Sequence, residues 1–273
     1  MARPIAATFH ASGMMSRTIA RNWRLLVAIT RVELAKKYAG SVLGTSWLIL
    51  QPALLLGVYL FVYLVVFKLR FPDFSRLDYV LFVFCGLVPY MGSVESIAAG
   101  SVAIKQNMHL VKNVMLPIEL IPVRTVLVSM AGQGVGLATL IGLSAVNGSL
   151  TPHVLWLPLA WGFQVIGLLG LVWILASLSV ALPDISYFVT LFMFLLMFVS
   201  PIAFRPEMVP ASLAFMVYMN PVHYMLEVYR ASLFYGRLPD AGVAAVYVAL
   251  AVASFGLGSL FFRTFRGALL DYE

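Results

Sequence analysis

The stretch VLWLPLAWGFQVIGLLGLVWILASLSVA runs from Val154 to Ala181 without one Asp, Glu, Lys or Arg. A helix that crosses a bilayer needs about 20 apolar residues to cover some 30 Å of hydrocarbon. An amphipathic surface helix would interrupt so long a run with a polar face. Five comparable runs lie at about 46–68, 79–100, 118–146, 186–204 and 242–262, so six spans are expected. The second contains one carboxylate, Glu95.

The whole chain agrees with this reading. Of its 273 residues 62% are hydrophobic and 11% charged, with a mean hydropathy of +0.97. A soluble domain carries roughly a quarter charged residues, so a soluble enzyme and a disordered chain are both excluded. The expected fold is an all-α integral membrane protein. An N-terminal cytoplasmic segment, 1–45, precedes a six-span transmembrane domain, 46–273. The first twenty or so residues hold Arg3, His10 and Arg17 but no apolar core of about 7–15 residues, so a cleavable signal peptide is not expected.

The net charge is +7. Its basic residues cluster between apolar runs, which points to the membrane surface rather than to nucleic acid. With both termini cytoplasmic, twelve Lys and Arg fall inside and six outside, the asymmetry that orients membrane proteins. Arg17, Arg21, Arg24 and Arg31 share one face of a helix over 14–38, with Ile19, Trp23 and Leu26 on another. That pattern suits an amphipathic helix in the membrane interface.

Two connections are unusual. Between the second and third spans, Ile104, Met108, Val111 and Met115 recur at helical spacing beside Lys105, His109 and Lys112. This predicts a short amphipathic helix over about 103–115, seated either in a groove of another protein or on lipid. Between the fifth and sixth spans, 205–241 is half apolar and rich in proline. Ala211–Asn220 is too short to span and reads as a re-entrant or interfacial helix, with a second from about Val222 to Tyr235. The pair predicts a structured cap over the outer end of a pathway, with Arg230 accessible from outside.

Some chemistry is missing from the sequence. There is no GxxxxGK[ST] phosphate loop and no Gly-Lys pair, so the chain has no ATP-binding motif of that kind. Cys85 is the single cysteine, and His10, His109, His153 and His223 are scattered, so neither a disulfide framework nor a metal site is expected. Charged groups within the spans are too few for an ion-coupled pump. A membrane enzyme acting on lipid-linked sugars would need more acidic residues at the inner face than Asp184.

Four short motifs, in order, carry a resemblance. They are Arg31 through Trp47 running on to Pro52; Asn107 through Pro117 with Glu119 and Pro122; Ser200-Pro201-Ile202 with Pro206, Glu207 and Pro210; and Asn220-Pro221 with Tyr229, Arg230 and Gly236. Over about residues 20–265 the chain resembles the permease subunits of polysaccharide-exporting ABC transporters, most nearly the O-antigen exporters. Capsule and teichoic-acid export permeases are similar. Pro183-Asp184 departs from the Arg-Asp frequent in that family.

The resemblance implies a transport subunit of the bacterial inner membrane and not an enzyme. Two copies would pair with two ATP-binding subunits, which would hold ATP and Mg, leaving this chain without a cofactor. The cargo would be a polysaccharide on an undecaprenyl carrier, moved past membrane lipids. Ile104, Lys105, Met108, His109, Val111, Lys112 and Met115 would then form the helix that receives motion from the ATPase. Pro201, Pro206, Asn220, Pro221, Tyr229 and Arg230 would belong to an external gate over about 200–236. Arg17, Arg21, Trp23, Arg24 and Arg31 would lie at the membrane interface. Tyr59, Tyr63 and Phe67 in the first span, and Tyr187, Phe194 and Phe198 in the fifth, would line the channel, since a tyrosine hydroxyl in mid-span needs a partner that hydrocarbon lacks.

Overall fold

A computed structural model of the chain describes residues 2–68, 74–108 and 116–270. Among the described residues there is no strand. The described residues form ten α-helices: α1 (Ala2–Arg21), α2 (Trp23–Lys37), α3 (Trp47–Leu60), α4 (Arg76–Gln106), α5 (Leu120–Val146), α6 (Leu157–Ala181), α7 (Ile185–Val199), α8 (Ala214–Tyr218), α9 (Pro221–Leu233) and α10 (Ala241–Leu270). α3 runs directly into a π-helical turn, Phe61–Val66.

Among the described residues five helical segments are long and apolar enough to cross a membrane: Gly44–Val66, Leu77–Gln106, Leu120–Val146, Pro152–Ala181 and Ala241–Leu269. They coincide with five of the six expected spans. The span expected at 186–204 needs correction. Its helix, α7, stops at Val199 after 15 residues, a rise of about 22 Å against a hydrocarbon core of about 30 Å. Pro201 is the reason. A proline brings no amide hydrogen and drives the residue before it out of the helical region, and Ser200 has turned to φ −76°, ψ 139°.

The amphipathic N-terminal segment also differs from the single helix expected. The backbone kinks at Asn22, whose φ of −104° and ψ of 18° fall between α1 and α2. The Asn22 amide donates to the Thr18 carbonyl at 2.8 Å, a local bond that competes with the helical ladder. Helical structure begins at Ala2, and α1 packs along α10.

α4 is the axis of the bundle, touched by α3, α5, α6, α7 and α9. It starts at a capping box in which the Ser75 hydroxyl and the Asp78 carboxylate each accept from the other residue's amide. Lipid tails are as apolar as side chains, so helices in a bilayer associate through close packing and hydrogen bonds. The tightest example is the α6–α10 crossing. A Cβ on Gly170 would sit 2.0 Å from the Ser254 carbonyl oxygen, and one on Gly258 would sit 2.1 Å from the Gly170 carbonyl oxygen.

Candidate functional site

A polar groove runs beneath α2 between α3, α4 and α5. Glu95 lies at its centre. The Lys37 ammonium donates to Glu95 Oε1, and the Ser129 hydroxyl donates to the same oxygen at 3.1 Å. Burial draws the Lys37 pKa down, but the hydrogen bond and charge of Glu95 outweigh it, so the net shift is upward and the ammonium is held charged. One helical turn away, Arg124 donates to Asn107 Oδ1 at 3.0 Å and faces Glu33 at 3.6 Å. These groups line a cavity of about 430 Å³.

A second cavity of about 330 Å³ shares Gln51 and Glu95 with the first and adds Tyr38, Trp47, Tyr90 and Gln133. The groove therefore passes from ion pairs to amides and aromatic rings. Amides and a carboxylate exchange hydrogen bonds with hydroxyls, and ring faces cover C–H surfaces, so the lining suits a ligand that alternates the two. Small residues leave the space: Gly132 and Gly136, one helical turn apart on α5, both line this cavity. Gly136 also abuts Val88, where a Cβ would come within 2.9 Å.

Behind the groove, the bundle is tied by a buried amide network. Gln133 and Gln164 exchange reciprocal amide bonds at 2.7 and 3.0 Å. The Gln164 amide also donates to the Pro89 carbonyl and the Ser93 hydroxyl, each at 2.9 Å, and the Tyr229 hydroxyl donates to Gln164 Oε1. Four helices, α4, α5, α6 and α9, meet in this cluster. In a bilayer such bonds have no water to compete with them.

The residues expected near an external gate are brought together, with one correction. Arg230 is not accessible but fully buried. Its Nη2 donates to the carbonyls of Pro201 and Ile202, both at 2.6 Å, and its guanidinium lies 3.8 Å from the centre of the Phe82 ring. Glu227 accepts from Nη1 at 3.4 Å. Arg230 thus satisfies two carbonyls of the non-helical segment just beyond the end of α7. Asn220 caps α9 through the Val222 amide at 2.9 Å and donates to the Ser200 hydroxyl at 2.9 Å. Tyr229 is buried, whereas Pro206 and Pro221 lie at or near the surface.

Tyr59, Tyr63 and Phe67, four residues apart along α3 and the π-helical turn that follows it, form one aromatic stripe. Tyr59 and Tyr63 stack at 5.8 Å and Tyr63 meets Phe67 edge-on at 5.8 Å. Tyr59 is buried and its hydroxyl has no partner among the described residues. Phe67, Tyr187, Phe194 and Phe198 are exposed on the single chain, and among the described residues no ring contact joins the α3 stripe to that of α7. Ile104 and Lys105 belong to the last turn of α4 rather than to a separate short helix. Ile104 is fully buried in the chain's own core and offers no knob to a partner, while Lys105 is exposed and Met108 half-buried. His109, Val111, Lys112 and Met115 lie outside the described residues. Arg17, Arg21, Trp23, Arg24 and Arg31 are all exposed.

Sequence reasoning noticed Glu95 but missed the residues gathered around it. The available signal was three glutamines, Gln51, Gln133 and Gln164, inside otherwise apolar spans, each costly to bury unpaired.

Long apolar helices packed around buried amides, with a polar groove between them, make this a multi-pass membrane protein. The chain belongs to the ABC-2 type transporter family, whose pattern matches residues 24–234. It is similar to the O-antigen export system permease protein RfbA of Myxococcus xanthus, 27% identical over 245 residues that cover 89% of this chain and 92% of that one. It is also similar to the protein of the same name from Klebsiella pneumoniae, 26% identical over 230 residues, 82% of this chain and 85% of the relative.

Proposed function

We propose that the chain is the transmembrane subunit of an ABC exporter that carries lipid-linked O-antigen polysaccharide across the bacterial inner membrane. The observation that carries this reading is the groove around Glu95 and Gln51, whose mixture of amides, carboxylate and rings matches a sugar chain. Family membership and the names of the relatives agree with it. With no phosphate loop in the sequence, ATP hydrolysis falls to a separate subunit, engaged through the connection over about 103–115. A second copy of the chain completes the channel and brings the α3 and α7 aromatic faces to its wall.

Charge placement supports cytoplasmic termini. The even number of crossings this needs is met if α7 and the segment after Pro201, held by Arg230, together return the chain to the outer face. In that orientation α2 lies at the cytoplasmic interface, and from it Lys37 reaches Glu95 in the groove. Their ion pair ties α2 to α4, and passage of a glycan requires it to open.

The test is complementation of a strain lacking the gene, scored by polysaccharide at the cell surface. Gln51→Leu and Glu95→Gln, each checked for membrane insertion and for assembly with the ATP-binding subunit, are expected to cut export severalfold. Full export by both would remove the groove from the pathway. Failure of the wild-type gene to restore surface polysaccharide would overturn the reading itself.

A further inference from the structure

A second cavity system lies apart from the groove, between the end of α1, the end of α10 and the segment leading into α5. It is a wide, open cleft of about 970 Å³. Arg17 and Arg21, one turn apart on α1, face Arg263 and Arg266, one turn apart on α10, across it. Among the described residues Glu119 is the one carboxylate in the lining. Its Oε1 pairs with Arg266 Nε at 3.0 Å, and its buried Oε2 has no partner among the described residues. Among the described residues Arg17, Arg21 and Arg263 make no ion pair, so three positive charges remain to be matched. The floor is apolar, with Met15, Leu116 and Ile118.

We propose that this cleft is a binding site for a phosphate-bearing lipid headgroup. The first argument is depth. α10 starts at Ala241, so Arg263 and Arg266 lie about 33 Å or more along its axis, one hydrocarbon thickness from its start and therefore at the level of lipid phosphates. The second is chemistry. Guanidinium groups are matched in shape and charge to phosphate oxygens, and an exposed cluster of them beside a membrane helix attracts anionic headgroups. The third is the lining, since a soluble anion has no use for the methionine and isoleucine below the arginines, whereas a lipid covers them with its chains. A hydroxyl beside the phosphate would also give Glu119 Oε2 its missing donor. The occupant bridges α1 to α10 and touches the chain just before α5.

Two sources supply this chemistry, a bilayer phospholipid and an isoprenoid diphosphate. The inference does not depend on the export reading and is tested on the purified full-length chain by native mass spectrometry. The probes are phosphatidylglycerol, cardiolipin, undecaprenyl diphosphate, inorganic pyrophosphate and zwitterionic phosphatidylcholine. The expected result is retention of an anionic lipid, weakened about tenfold or more when Arg17→Gln, Arg21→Gln and Arg263→Gln are combined. Arg24→Gln with Arg31→Gln, which removes charge away from the cleft, should change retention little. Replacing the same three arginines by lysine guards against misfolding and should restore much of the binding. Preference for the glycerophospholipids assigns the site to the bilayer, and preference for the diphosphate assigns it to a carrier lipid. Retention of phosphatidylcholine equal to that of the anionic lipids would overturn the proposal. So would equal losses in the cleft and control variants, or pyrophosphate held as tightly as any lipid.

Discussion

Replacing Arg230 by methionine should free the segment after α7 without emptying the space it fills. Two carbonyls, those of Pro201 and Ile202, would lose their donor, at about 1–3 kcal/mol each when left buried. The cation–π contact with Phe82, worth up to about 2 kcal/mol when desolvated, would go too. Against this, a guanidinium that is fully buried no longer has to be desolvated, and Glu227 is exposed enough to be rehydrated. The net cost should be about 3 kcal/mol, at the lower end of what breaking a buried charged cluster costs. Cys85 offers a native reporter, being the single cysteine, fully buried, and next to Gly86, which lies against Arg230 Nη2 and Ile202. If labelling requires local opening, about 3 kcal/mol corresponds to a roughly 10²-fold faster reaction with a small thiol reagent. Arg230→Lys, which keeps the charge and one donor direction, should fall between the two. A methionine variant whose Cys85 reacts at the wild-type rate, with an unchanged unfolding midpoint in detergent, would refute the argument that Arg230 holds this segment.

Gly170→Val should disrupt assembly of the bundle, because its Cβ would meet the Ser254 backbone rather than a movable side chain; low yield and a broadened gel-filtration peak are expected, while Gly142→Val, with open space around it, should purify normally. Burial holds the His223 imidazole below its ordinary value of 6.5, so the unfolded chain binds the proton first. Stability from this group is therefore complete above that value and is lost as pH falls through the lower folded pKa; thermal unfolding across that range should show the loss in the wild type and a flatter profile in His223→Gln. Removing the unpartnered hydroxyl with Tyr59→Phe should leave the isolated chain equally stable or about 1 kcal/mol more so, and a clear loss of stability would show that the hydroxyl has a partner.

Much of the architecture was legible because a bilayer is a demanding solvent. Every segment that crosses it must be long, apolar and helical, so five spans could be located from composition alone, although the helices of the second and last run on to Gln106 and Leu269, beyond the expected ends at about 100 and 262. The spacing of Tyr59, Tyr63 and Phe67 set a shared face, since helical periodicity is local. The structured, proline-rich connection between the last two expected spans was recognisable in the sequence, but not the role of Arg230. An arginine in a half-apolar loop reads as a surface charge until something shows which carbonyls it meets. The full length of α7 was misjudged for the same reason, because hydropathy continues through Ser200 and Pro201 while the helical hydrogen-bond ladder does not.

What the sequence determined by itself was the class: a multi-pass helical membrane protein with an arginine-rich N-terminal segment and no phosphate loop. Those properties depend on runs of neighbouring residues and on residue types. What only the tertiary structure decided was the company each polar residue keeps. Lys37 meets Glu95 across 58 positions of chain, and Tyr229 meets Gln164 across 65. The arginines of α1 face those of α10 from opposite ends of the sequence. Such meetings follow from where helices cross, and the crossings are set by close contacts such as Gly170 on Gly258, between residues that no local pattern links.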